Sequence, residues 1–133
     1  MPDKTIRVLI ADDEALARDR VADLLEHETN VVIVGTASTG LEAIESIRTL
    51  HPDLVFLDVQ MPELDGFGVV QAVGAARMPP VVFVTAHDRF AIQAFEINAL
   101  DSLLKPVTRA RFVQALARAK AWTKRARVTG LSR

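Results

Sequence analysis

Five short apolar runs recur along the chain, and each gives way to a stretch with helical spacing or a turn. The runs are Ile6–Ala11, residues 31–36, Leu54–Asp58, Val81–Thr85 and the short segment 102–104. A continuous apolar run bounded by turn signals fits a strand covered on both faces, because a strand with one wet face alternates apolar and polar residues. Between the runs, apolar residues fall three and four apart, which predicts helices. Ala17, Val21, Leu24 and Leu25 mark one over 15–28, ended at Asn30. Leu41, Ile44 and Ile47 form the inner stripe of a second over 40–50, stopped by His51-Pro52, since proline has no N–H to donate. Phe67, Val70 and Val73 mark a third over 66–76, with Pro79-Pro80 closing that connection. A short fourth helix is expected over 89–97. The last begins near Thr108, buries Phe112, Leu116 and Ala119, and continues toward Trp122.

Strands alternating with helices imply a parallel sheet, and right-handed crossovers leave few ways to order it. The expectation is an α/β fold, a doubly wound five-stranded parallel sheet in the flavodoxin-like order 2-1-3-4-5 with five helices. In that order strands 1 and 3 flank the switch point, where ligands bind beyond the carboxyl ends. At 133 residues, half of them hydrophobic, the chain makes one domain with a real core. Without cysteine there are no disulfides or thiolate metal sites, which suits a reducing cytoplasm. His27, His51 and His87 show no metal-ligand spacing. No apolar run approaches the roughly 18 residues of a membrane span, and MPDKTIR is not a signal peptide. The expected location is cytoplasmic, with no membrane partner.

The net charge of −1 conceals an asymmetry. Residues 1–101 hold all 17 acids against 7 bases, whereas 102–133 hold 9 bases and no acid. This fits either a solvated basic helix, or an acidic site followed by a basic linker. The corresponding division is a domain over 1–120 and a basic helical extension or linker over 121–133.

The acidic site centres on residues 54–66, LVFLDVQMPELDG. Asp58 ends the third strand, and Pro62, Asp65 and Gly66 mark the loop before the next helix. The other strand ends bring Asp12 and Asp13 from strand 1, Thr85 from strand 4 and Lys105 after strand 5. Taken singly, each has a bland reading: Asp13 as a helix cap, Thr85 as a turn residue, Lys105 as a solvated side chain. Taken together, they meet at one sheet edge, although far apart in sequence. Carboxylates about 4 Å apart repel by roughly 4 kcal/mol per pair at an effective dielectric of 20. A raised pKa or a bound cation relieves this. Hard oxygen ligands suit Mg²⁺, held by Asp13 and Asp58 with Asp12 close by. Asp58 beside a metal, a lysine and a hydroxyl can act as a nucleophile toward phosphorus, giving an aspartyl phosphate.

These residues resemble the receiver domain of bacterial two-component response regulators over about 5–120. The resemblance rests on Asp12-Asp13, the run Asp58-Val59-Gln60-Met61-Pro62 with Asp65-Gly66, Thr85-Ala86 and Lys105-Pro106. It implies that Asp58 accepts phosphate from a sensor histidine kinase. It implies Mg²⁺ on Asp12, Asp13, Asp58 and the backbone carbonyl of Gln60, with Thr85 and Lys105 contacting the phosphoryl group. A cis bond before Pro106 is also implied. On this reading the chain is a self-catalysed phosphoacceptor with slow self-dephosphorylation, not a turnover enzyme. Phosphorylation would reset the face of helix 4, strand 5 and helix 5, which then binds a partner or a second copy.

The segment from Phe95 to Val107 resembles the LytTR subgroup, whose members carry a DNA-binding domain after the receiver. The expectation is transcriptional control through such a domain, with no direct nucleic-acid binding by the receiver. The chain stops at Arg133, which suggests an excised receiver or a stand-alone relative, with a tail resembling a severed linker. One departure is Ser102, three positions before the lysine, where receivers usually carry an aromatic residue. Output through Phe90 or Phe95 on the fourth helix is an alternative, and His87 is expected near the site entrance.

Three rival readings remain. A phosphatase passing through an aspartyl phosphate would normally add a substrate-recognising insertion, and none is visible. An unphosphorylated interaction module is left open by Ser102. Flavin binding is disfavoured because Asp12-Asp13-Glu14 would repel a phosphate from the first loop.

Overall fold

The computed structural model describes residues 5–97 and 99–129. Strands and helices alternate along the chain: β1 Ile6–Ala11, α1 Ala15–Glu26, β2 Val31–Ala37, α2 Gly40–Leu50, β3 Leu54–Asp58, α3 Gly66–Val73, β4 Val81–Thr85, α4 Phe90–Glu96, β5 Asp101–Leu104 and α5 Arg109–Thr129. All the strand pairs are parallel, in the order β2-β1-β3-β4-β5. This is the expected doubly wound sheet.

Strand side chains alternate between two cores, as the period of two requires. Val8, Ile10, Leu54, Phe56, Val82 and Val84 face one way, against Val21, Leu24 and Leu25 of α1 and Phe112, Leu116 and Ala119 of α5. Leu9, Ala11, Val55, Leu57, Val81 and Phe83 face the other way, against α2, α3 and α4. Every residue of β3 and β4 is buried, which is why their sequences run apolar without alternation. Phe56 stacks on Phe112 at 5.4 Å between centroids, and Phe83 packs on Phe67 at 5.0 Å. Each such ring contributes about 1.5–3 kcal/mol through its burial.

Helix ends follow local chemistry. Thr39 caps α2 by accepting from Glu42 N at 3.1 Å, while the Glu42 carboxylate accepts from Ser38 N at 3.0 Å. Together these two bonds fix where the helix starts. His51 adopts a left-handed conformation (φ 47°) at its end, just before Pro52. Asp65 caps α3 by accepting from Gly68 N at 2.8 Å.

Several expectations need correction. Leu41 is 64% exposed and does not belong to the inner stripe of α2, where Ala43 is buried instead. Helix α1 ends at Glu26 rather than residue 28. Helix α3 ends at Val73, because Gly74 turns to φ 92°, a region that glycine enters at little steric cost. Its buried residues include Val69, while Phe67 and Val70 are only half-buried. The side chain of Phe95 lies outside the described residues.

Helix α5 runs on well past Trp122. Thr123 and Ala126 are buried, Arg127 pairs with Asp53 at 3.5 Å and Lys120 with Glu28 at 3.6 Å. Among the described residues, no helix is long and apolar enough to cross a membrane.

The turn from β3 into α3 sets the approach to the acidic end. Gly66 N donates to Val59 O at 2.8 Å, and a Cβ at Gly66 would lie 2.5 Å from the carbonyl oxygen of Asp58. Gly66→Ala is therefore expected to destabilise the fold by about 1–3 kcal/mol, since backbone on both sides must shift. A urea midpoint equal to that of the unsubstituted chain would contradict this tight approach.

Candidate functional site

A parallel sheet delivers every strand's C-terminus to one edge. Ala11 pairs with Leu57 in the ladder between β1 and β3, so the next residues, Asp12 and Asp58, emerge side by side at the switch point. Both are buried, at 3% and 2% exposure. Carboxylate oxygens of Asp12, Asp13, Glu14 and Asp58 all lie within 4.8 Å of one another. Asp13 and Glu14 are exposed, so the cluster opens to solvent on one side.

Lys105 follows β5 and reaches into this cluster. Its Nζ lies 3.1 Å from Asp12 Oδ2, 3.5 Å from Asp58 Oδ2 and 2.5 Å from Glu14 Oε1. Its side chain is only 14% exposed, so it is not a freely solvated lysine. The Lys105–Pro106 bond is cis. Backbone N–H groups help hold the carboxylates, with Glu14 N donating to Asp12 Oδ1 at 2.9 Å and Gln60 N to Asp58 Oδ1 at 3.1 Å. Asp13 does not cap α1; Glu14 occupies that position.

Thr85, at the end of β4, is buried. Its Oγ1 accepts from His87 N at 3.1 Å and donates to His87 O at 3.3 Å. His87 is exposed, and its ring meets Phe90 edge-on at 6.2 Å. Asp13, Gln60, Met61 and Phe90 line an open depression of about 510 Å³ beside the cluster. Ser102 pairs with Phe83 in the β4–β5 ladder and is half-buried.

Electrostatics follow from this crowding. Burial, and then the charge of Asp12, push the Asp58 carboxyl up to about 8, against the opposing pull of Lys105. Burial alone would lower the Lys105 amine, but bonds to Glu14 and Asp12, with the charge of Asp58, raise it to about 12. One ammonium faces four carboxylates, a deficit that a divalent cation would fill. An all-oxygen donor set with an exposed side suits Mg²⁺, which retains several waters. The residues present therefore fit such an ion.

The sequence reading brought Asp12, Asp13, Asp58, Thr85 and Lys105 to this edge, and the structure places them there. It read Glu14 only as part of an acidic run that repels phosphate, not as a partner of Lys105, with which it makes the shortest contact. The available signal was a third consecutive acid after β1.

The switch point of this flavodoxin-like sheet thus carries clustered carboxylates and one lysine. Residues 8–117 match the family described as the response regulator receiver domain, and the chain belongs to that family. Its relatives include the transcriptional regulatory protein BtsR of Escherichia coli, 44% identical over 113 residues, which are 85% of this chain and 47% of that protein. The sensory transduction protein LytT of Bacillus cereus is 43% identical over 116 residues, covering 86% of this chain and 47% of LytT. This chain thus spans about half the length of the curated relatives it matches. Among solved structures, the REC domain of AraT, a response regulator from Geobacillus stearothermophilus, superposes with a TM-score of 0.84 at 29% identity. That match covers 92% of this chain and 98% of that one. The response regulatory domain of mrkE from Klebsiella pneumoniae gives 0.81 at 30% identity, covering 90% and 99%. These relatives agree with the resemblance to the LytTR subgroup read from the sequence.

The raised Asp58 carboxyl carries a pH signature. In the unfolded chain the group returns to its ordinary value of 3.8. Between 3.8 and about 8 the folded protein holds a proton that the unfolded chain has lost. The stability this proton provides is complete below the unfolded value and disappears as pH rises through the folded one. In metal-free protein, the urea midpoint contributed by this group should decline from about pH 5 to pH 8, and Asp58→Asn should flatten the decline. An identical pH profile in the variant would contradict the shift.

Proposed function

We propose that this chain is a phosphoacceptor module in which Asp58 takes a phosphoryl group from a sensor histidine kinase. The observation that carries the reading is Asp58 itself: a buried carboxylate at the switch point, 3.5 Å from the Lys105 ammonium and beside Asp12. In the transfer, an Asp58 carboxylate oxygen forms a bond to phosphorus as the donor's P–N bond breaks. The imidazole of the donor leaves and takes up a proton from solvent. With an acyl phosphate as donor, a P–O bond breaks instead and a carboxylate leaves.

Lys105 offers its ammonium to the phosphoryl oxygens as the charge on Asp58 is consumed. Thr85 exchanges its bond to His87 O for one to the phosphoryl group, which loosens the start of α4. Asp12, Asp13, Asp58 and the carbonyl of Gln60 would hold Mg²⁺, which supplies charge neutralisation at the phosphoryl oxygens and a template for the incoming donor. Deprotonation of Asp58 is required before it can attack, and a bound divalent cation would favour that ionised form.

The altered face of α4, β5 and α5 is the proposed output, engaging a partner or a second copy of the chain. Residues 1–120 would form the receiver and 121–133 a basic extension or linker. In a longer protein this would lead to a transcription-regulating DNA-binding domain, acting in the cytoplasm. The receiver itself would bind neither nucleic acid nor membrane. Slow loss of the phosphoryl group by hydrolysis would reset the switch, without turnover of a separate substrate.

Incubation with acetyl phosphate and Mg²⁺ should add one phosphoryl group, detected by intact mass. Chelation of the metal should stop the addition, and Asp58→Ala should abolish it, a loss of at least about 100-fold in rate, as for removal of a nucleophile. Uptake by Asp58→Ala at the original rate would overturn the assignment. No uptake by the unsubstituted chain, together with retained partner binding, would favour an unphosphorylated interaction module.

A further inference from the structure

Glu14 occupies the N-cap position of α1, where a short oxygen-bearing side chain ordinarily folds back onto the helix. Its carboxylate makes no cap bond. It reaches across the mouth of the site to Lys105 instead, with Oε1 2.5 Å from Nζ. The same ammonium is 3.1 Å from Asp12 and 3.5 Å from Asp58. Glu14 is also the most exposed of these three carboxylates, at 62% against 5% or less. The closest partner of Lys105 is thus the acid on the solvent side, not the buried acceptor.

A lysine ammonium is a compact charge with three donors, and a short charge-assisted bond fixes where it sits. To serve a phosphoryl group on Asp58 it must shift away from Glu14. That release opposes the reaction, while exposure keeps it modest. We propose that Glu14 is a positioning residue that holds Lys105 at the solvent side of the site and restrains its engagement with the phosphoryl group. This inference rests on the phosphoacceptor reading above. The charge of Glu14 could also repel an anionic donor without touching Lys105, and the two effects separate by variant. Glu14→Gln keeps the length and removes the charge. Glu14→Asp keeps the charge but is too short to preserve the contact.

The test is the rate of acetyl phosphate uptake by the full chain at saturating Mg²⁺, across donor concentrations and in two backgrounds. Glu14→Gln should raise the maximal rate about threefold, the size of an exposed ion pair, with little change in the half-saturating donor concentration. Glu14→Asp should behave like Glu14→Gln. In a Lys105→Ala background both gains should vanish, since coupling requires both partners. High salt should shrink the gain. A rate unchanged in Glu14→Gln overturns the inference, as does a gain that survives in Lys105→Ala. So does a Glu14→Asp variant that behaves as the unsubstituted chain. No uptake by the unsubstituted chain overturns the phosphoacceptor reading and this inference together. Uptake that is indifferent to Glu14 overturns the inference alone.

Discussion

Two carboxylates buried side by side, Asp12 and Asp58, are the constraint around which the rest of the site is arranged. Charges about 4 Å apart at an effective dielectric of 20 repel by roughly 4 kcal/mol, a large share of a domain's net stability. The repulsion is built in by topology, because strands β1 and β3 are parallel neighbours and their ends must meet. The protein offsets it with backbone donors from Glu14 and Gln60, with the Lys105 ammonium, and with a proton retained on Asp58. None of these removes the excess of negative charge. A site left short of positive charge in this way, with an all-oxygen donor set, suits a divalent cation.

The end of β4 links that site to the surface. Thr85 holds the backbone of His87 through both its donor and its acceptor. The His87 ring meets Phe90, and Phe90 packs on Phe67 at 6.1 Å, which in turn touches the buried Phe83. A change in the partner of Thr85 therefore reaches the first turn of α4 through a short chain of contacts. Ser102 supplies no ring to report such a change, so in the proposed switch α4 carries more of the signal than β5.

Much of this was legible in the sequence, for reasons that differ from element to element. Strands β3 and β4 were read to the residue because two covered faces force an unbroken apolar run that stops where solvent begins. The convergence of Asp12, Asp58, Thr85 and Lys105 followed from strand order alone. Leu41 was misread because helical spacing marks a stripe but not its edge, and the small Ala43 gives little hydrophobic signal. The end of α3 at Gly74 was masked by an apolar pattern that continued to Ala76. Beyond residue 120 the sequence left both a helical extension of α5 and a linker open. The last turns of this helix are held by Thr123, Ala126 and the Arg127–Asp53 pair, none of which reads as a hydrophobic stripe. The Glu14–Lys105 contact joins residues 91 positions apart and depends on side-chain reach, which no local pattern encodes.

The most direct test of the crowded-carboxylate site is calorimetric Mg²⁺ titration at pH 7 in two buffers of different ionisation enthalpy. A metal that binds the ionised form must displace the proton retained on Asp58. The expected result is Mg²⁺ binding with net proton release, and loss of that release in Asp58→Asn. Mg²⁺ binding with no proton exchange, or proton release undiminished in Asp58→Asn, would contradict it.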